Sequence, residues 1–167
     1  FRSFKIDKEA LKYNPYKIKE VLVFESDKNR KDTIFVSNIR KFNPCNDPLA
    51  LFPKKCEAYS ISCKKTDPNH NRYLDEKSLI KIFASTDKKS YLDFNITLKG
   101  SWFYSTKIYS LSEFDSIPDS ILVIGDVIYN DVKIFNEEEY SLQYKNRNNY
   151  ALRFFWSKSQ GFLGLDR

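Results

Sequence analysis

The sequence predicts a mainly β protein, an antiparallel sandwich or curled half-barrel of roughly 8–10 strands with at most a short N-terminal helix. Two observations carry this. Short runs rich in Ile, Val, Phe and Tyr recur at roughly ten- to fifteen-residue spacing, separated by Asn, Asp, Lys, Pro and Gly, which is the pattern of antiparallel strands and not of βαβ units. Near the C-terminus, two pairs of apolar runs are each broken by a short Gly-bearing turn, the local signature of a β-hairpin.

In chain order, the first element is a helix over 8–13, which Pro15 stops. Strands follow at 18–24 and 33–39, both β-branched and aromatic runs bounded by turn formers. The segment 42–55 holds Pro44, Pro48 and Pro53 and reads as an elaborated surface loop, the kind of segment that carries function. A strand over 56–64 places Tyr59, Ile61 and Cys63 on one face and Cys56, Ala58, Ser60 and Ser62 on the other. A second long connection, 65–74, surrounds Pro68. Strands come next at 79–85 and 91–98; in the latter, Leu92, Phe94, Ile96 and Leu98 oppose Tyr91, Asp93, Asn95 and Thr97, as in a half-buried strand. The strand over 102–109 opens with three consecutive aromatics, Trp102 to Tyr104, which must project from both faces. Strands 121–124 and 127–135 flank Gly125-Asp126, and strands 151–158 and 162–165 flank a turn containing Gly161. These hairpins place Ile124, Val127, Phe155 and Leu163 in the sheet, and Phe154-Phe155-Trp156 repeats the doubled-aromatic pattern. Rings on a second face are either covered by another layer or form a partner surface, with Trp102, Tyr104, Phe154 and Trp156 as its candidate residues.

The 167 residues make about one domain, 1–167, large enough to bury a core without metals or several disulfides. The chain begins at Phe1 and has no Met, so a preceding segment is expected to have been removed, as processing of an export signal would do. No run approaches the ~18 consecutive apolar residues of a membrane-spanning helix, so membrane attachment is expected only through an N-terminal lipid anchor outside this chain. Net charge is +6 with a pI near 9.1, which permits an anionic partner. The basic pairs Arg30-Lys31, Arg40-Lys41, Lys54-Lys55, Lys64-Lys65 and Lys88-Lys89 lie at the ends of apolar runs, where they read as solvated turns and strand ends rather than a binding face.

Alternation in the 56–64 strand makes Cys63 a small core residue and leaves Cys45 and Cys56 as the pair able to bridge, closing the Pro-rich loop in an oxidising compartment. Three separate thiols are the alternative. No metal site is expected, since there is no CxxC and His70 is the only histidine. That same His70 lies in a polar loop, the acidic run Glu137 to Glu139 sits in a hydrophilic connection, and there is no Gly-rich phosphate loop, so neither catalysis nor a cofactor is expected.

Residues 121–166 resemble the closing hairpins of exported, often lipid-anchored β-proteins of Bacteroidota. The resemblance rests on Gly125-Asp126 with Tyr129, on Phe155-Trp156-Ser157-Lys158, and on Gly161-Phe162-Leu163. It implies an exported protein at the outer membrane, cell surface or periplasm. Such proteins carry O-glycans at Asp followed by Ser or Thr and an aliphatic residue, which would make Thr33, Ser116 and Ser120 candidate acceptors. The expected function is that of a non-catalytic accessory or binding subunit of an outer-membrane protein complex, one built around a β-barrel. The alternatives are a carbohydrate-binding module stacking sugars on Trp102 and Trp156, or an OB-like single-stranded nucleic-acid-binding domain. Nucleic acid is disfavoured because the predicted strands outnumber the five of such a barrel and the basic residues do not alternate with the aromatics.

Overall fold

Turn residues and four β-bulges decide how these runs assemble. The computed structural model describes residues 2–25, 29, 31–45, 51–52, 54–65, 77–98, 101–104, 108–136 and 152–166, with the backbone alone for 65, 77–78, 96–98 and 101–104. Its elements are β1 (Arg2–Phe4), α1 (Lys8–Leu11), β2 (Val21–Glu25), β3 (Lys31–Phe42), β4 (Lys54–Cys56), β5 (Ala58–Lys65), β6 (Lys77–Ala84), β7 (Ser90–Leu98), β8 (Ser101–Tyr104), β9 (Tyr109–Ser110), α2 (Leu111–Ser116), β10 (Ser120–Ile124), β11 (Val127–Asn136), β12 (Arg153–Ser157) and β13 (Gly161–Asp166). The fold is mainly β and antiparallel, as the strand spacing predicts. Strands β2-β3-β5-β6-β7-β8, with β9 beside β7, form a curled sheet; β10-β11-β12-β13 form a four-stranded sheet; β1 and β4 make a short parallel pair.

Several elements differ from expectation for local reasons. The strand expected from residue 18 begins at Val21, because Lys19 adopts φ +71° and Lys19 N donates to the Val36 carbonyl (2.9 Å), bending the chain into β2. The strand expected over 56–64 breaks at Glu57, whose N–H donates to the Phe4 carbonyl (2.9 Å) while its own carbonyl accepts from Ala84 N (2.9 Å), and whose carboxylate accepts from Ile6 N (3.1 Å) and pairs with Lys41. Arg40 and Lys41 lie inside β3, not at a turn. A second helix, α2, lies beyond the expected 102–109 strand, where the sequence predicts at most an N-terminal helix for the whole chain. Its capping box is complete: Glu113 N donates to Ser110 Oγ (3.3 Å) and Ser110 N donates to Glu113 Oε2 (2.8 Å).

The bulges explain apolar pairs that simple alternation would split. Ser37 is the extra residue in β3, so Val36 and Ile39, three apart, both reach the core side. Leu79 is the extra residue in β6 opposite Ile61 and Ser62, and both Leu79 and Ile80 are buried. Phe94 of β7 stands at the junction of the two larger sheets, with ring centroids 4.9 Å from Trp156, 5.4 Å from Phe135 and 5.6 Å from both Phe154 and Phe114. Burying each such ring stabilises by about 1.5–3 kcal/mol before entropy is counted.

The N-terminal segment locks onto the last hairpin. Tyr16, buried, accepts a hydrogen bond from Phe162 N (2.7 Å) at its hydroxyl and packs edge-on against Trp156 at 5.8 Å. It can approach this closely only because the neighbouring residue is Gly161, at φ +81°. A Cβ there would overlap the Tyr16 hydroxyl and lie 2.5 Å from its Cζ.

Candidate functional site

Two clusters of exposed apolar side chains, each built by a specific local device, stand out on the described surface, beside Val21 and Val23 of β2 and the separate Ile18, Ile108 and Leu152. The first is the loop between β3 and β4. Cys45 and Cys56 form a disulfide with Cα atoms 5.4 Å apart, closing the loop, while Cys63 stands outside the bridge and packs against the core. Asn43 ties both ends beside the bridge: its Oδ1 accepts from Cys45 N (3.2 Å) and Cys56 N (2.8 Å), and its Nδ2 donates to the Lys54 carbonyl (3.3 Å). Cys56 is itself buried and pairs with Phe4 in the β1–β4 ladder, so the staple is anchored in the body of the protein. Glu57, next in sequence, has its carboxyl held below the usual range by the hydrogen bond from Lys41, with burial opposing and Ile6 N adding to the effect. On this fixed base Leu51 and Phe52 are 92% and 85% exposed. Two adjacent large apolar side chains thus stand in solvent on a covalently closed loop.

The second surface is the β10–β11 hairpin. Gly125, at φ +59° as the first of two loop residues, sets the II′-type placement that matches strand twist. At the hairpin root Val132, opposite Ser120, is fully buried, and the buried Lys133 donates to the Ile117 carbonyl and pairs with Asp119 at 2.8 Å. Beyond a bulge in β11 at residues 130–131, the hairpin leaves the core. Ile121, Val123 and Ile128 are exposed on one face, Ile124 and Val127 on the other, each by 44–70%.

The residues expected to form an aromatic patch are distributed differently. Phe154 and Trp156 are fully buried and face Phe94, so they hold the two sheets together and offer no surface to a partner or a sugar. Phe155, on the opposite face of β12, is also buried. All three rings of the run are thus buried, which corrects the reading of Phe154-Phe155-Trp156 as a binding face. Trp102 and Tyr104 lie in β8, opposite Thr97 and Asn95, with side chains outside the described residues. Thr33 is half-buried within β3 opposite Val23; Ser116 is exposed but donates to the Glu113 carbonyl (2.7 Å) at the end of α2; Ser120 begins β10. His70 and Glu137 to Glu139 lie outside the described residues, and among the described residues no three His, Cys, Asp or Glu converge as metal ligands. Leu51-Phe52 carries no sequence signal beyond the Pro-rich loop around it. Compared with protein-family models, curated proteins and solved structures, the chain matches none.

Proposed function

We propose that this chain is a non-catalytic, exported binding domain that serves as an accessory subunit of an outer-membrane protein complex, contacting it through the disulfide-closed loop. The observation that carries the reading is the exposure of Leu51 and Phe52 on a loop fixed by the Cys45–Cys56 bridge and by Asn43. Binding energy in protein contacts concentrates in a few apolar and aromatic anchors, and a loop held in place beforehand loses less entropy on docking. A disulfide supports an oxidising compartment, in keeping with export. The glycan-binding alternative is weakened because Trp156, one of its two stacking rings, has no accessible face. The test is affinity capture from native outer membranes with the wild type and a Leu51→Ala/Phe52→Ala variant. The wild type should retain an outer-membrane β-barrel protein or its associates, and the variant should lose at least tenfold of that recovery, as removal of a hot-spot pair does. Equal recovery by both proteins, or binding of a soluble glycan in its place, would overturn the reading.

A further inference from the structure

We infer that β10 is a self-association edge, and that two copies of this chain pair antiparallel along residues 121–124 to join their four-stranded sheets into one of eight strands. β10 ends the order β10-β11-β12-β13, so among the described residues no strand lies beside its outer row of backbone N–H and C=O groups. Natural edges are guarded by Lys, Pro, inward charges or a bulge in the edge strand. Ile121-Leu122-Val123-Ile124 has none of the first three, and the hairpin's bulge falls in β11 near its root.

Apolar side chains stand on both faces of the hairpin, and this selects the mode of contact. Docking against a flat surface would cover Ile121, Val123 and Ile128 but leave Ile124 and Val127 in water. Strand addition extends the side-chain ladders on both faces at once. A lipid bilayer does not fit, because hydrocarbon offers no partner to the edge backbone groups, and Asp126 sits at the hairpin tip.

A second copy fits on register and on charge. With the two-fold axis at Leu122, each Ile121 faces Val123 of the other copy, pairing aliphatic side chains. Asp126 then falls opposite Pro118, and Asp119, already paired with Lys133, opposite Gly125, so no like charges meet. Edge pairing covers only the outer flanks of the β10 side chains and leaves both sheet faces in solvent, so the contact lies below the ~1,000 Å² of stable specific association. The dimer is therefore weak and forms only at high protein concentration.

Sedimentation equilibrium of the full chain from about 10 µM to about 1 mM, the range of weak association, tests the inference, alongside Val123→Lys and Ile121→Thr. The wild type should approach a dimer across this range, and both variants should dissociate at least tenfold more readily while keeping the wild-type circular dichroism and Tm. Ile121→Thr retains a β-branched residue, so it reports on the edge even where the Lys variant fails to fold. A monomer at every concentration, a dimer untouched by either substitution, or flotation with phosphatidylcholine vesicles that Val123→Lys abolishes would each overturn it. The edge is independent of the Leu51-Phe52 contact, so either result leaves the other standing.

Discussion

Replacing Gly161 with alanine should cost about 2–5 kcal/mol, and the magnitude follows from two separable effects. An L-residue at φ +81° loses about 1–2 kcal/mol relative to glycine. The new Cβ also occupies the space of the Tyr16 hydroxyl and stands 2.9 Å from Pro15 Cγ, so Tyr16 must move away from its seat on Trp156. Its departure leaves Phe162 N without its 2.7 Å acceptor in a buried setting, a loss of about 1–3 kcal/mol. Gly125→Ala is the internal control: its φ is +59° and a Cβ there would meet nothing within 4 Å, so it carries the backbone cost alone, about 1–2 kcal/mol. Urea denaturation followed by circular dichroism gives both values by linear extrapolation. If Gly161→Ala is no more destabilising than Gly125→Ala, the close packing of Tyr16 on the last hairpin is not what holds the N-terminal segment.

Two further outcomes follow from the staple and from Tyr16. Reducing the Cys45–Cys56 bridge should lower stability by about 2–4 kcal/mol, and non-reducing mass spectrometry with alkylation should find one reactive thiol, Cys63, where three would contradict the pairing. Burial pushes the Tyr16 phenol well above its ordinary value against the opposing hydrogen bond from Phe162 N, so the folded state holds the neutral form. The stability this gives is fully present below about pH 10, where the unfolded phenol is also neutral, and is lost above it at about 1.4 kcal/mol per pH unit. Tyr13, whose phenol is also raised, by burial and by Asp115, contributes in the same window, so denaturation midpoints measured between about pH 9 and pH 11 should show the loss from both groups and Tyr16→Phe should lessen it without abolishing it; an unchanged slope in the variant would assign the loss to other groups.

The hairpins were legible because a turn needs its glycine: Gly125 and Gly161 adopt the positive φ that their positions between apolar runs imply. Alternation located Phe94 in the core and the Cys63 side of β5 correctly, because that strand segment is regular there. It failed where bulges intervene, at Ser37 and Leu79, since one inserted residue reverses the face of everything beyond it and leaves no mark in the composition. The helix α2 had a readable signal, Ser110 followed three residues later by Glu113, hidden inside a run of strand formers. Exposure was the least legible property. Phe154 and Trp156 read as surplus aromatics because the layer covering them comes from β7, sixty residues earlier in sequence. Conversely, Ile121, Val123 and Ile128 look like ordinary strand residues, and only the departure of the hairpin from the core beyond Val132 leaves them in water.

Site-specific photocrosslinking from position 52 in native outer membranes tests the central functional claim most directly, with a crosslinker at Lys31, exposed on β3, as the control position. The account predicts a single recurrent adduct from position 52, identified by mass spectrometry as an outer-membrane protein of a β-barrel complex and missing from position 31. An absence of adducts from position 52, or the same adducts in equal yield from both positions, would contradict the assignment of the disulfide-closed loop as the contact surface.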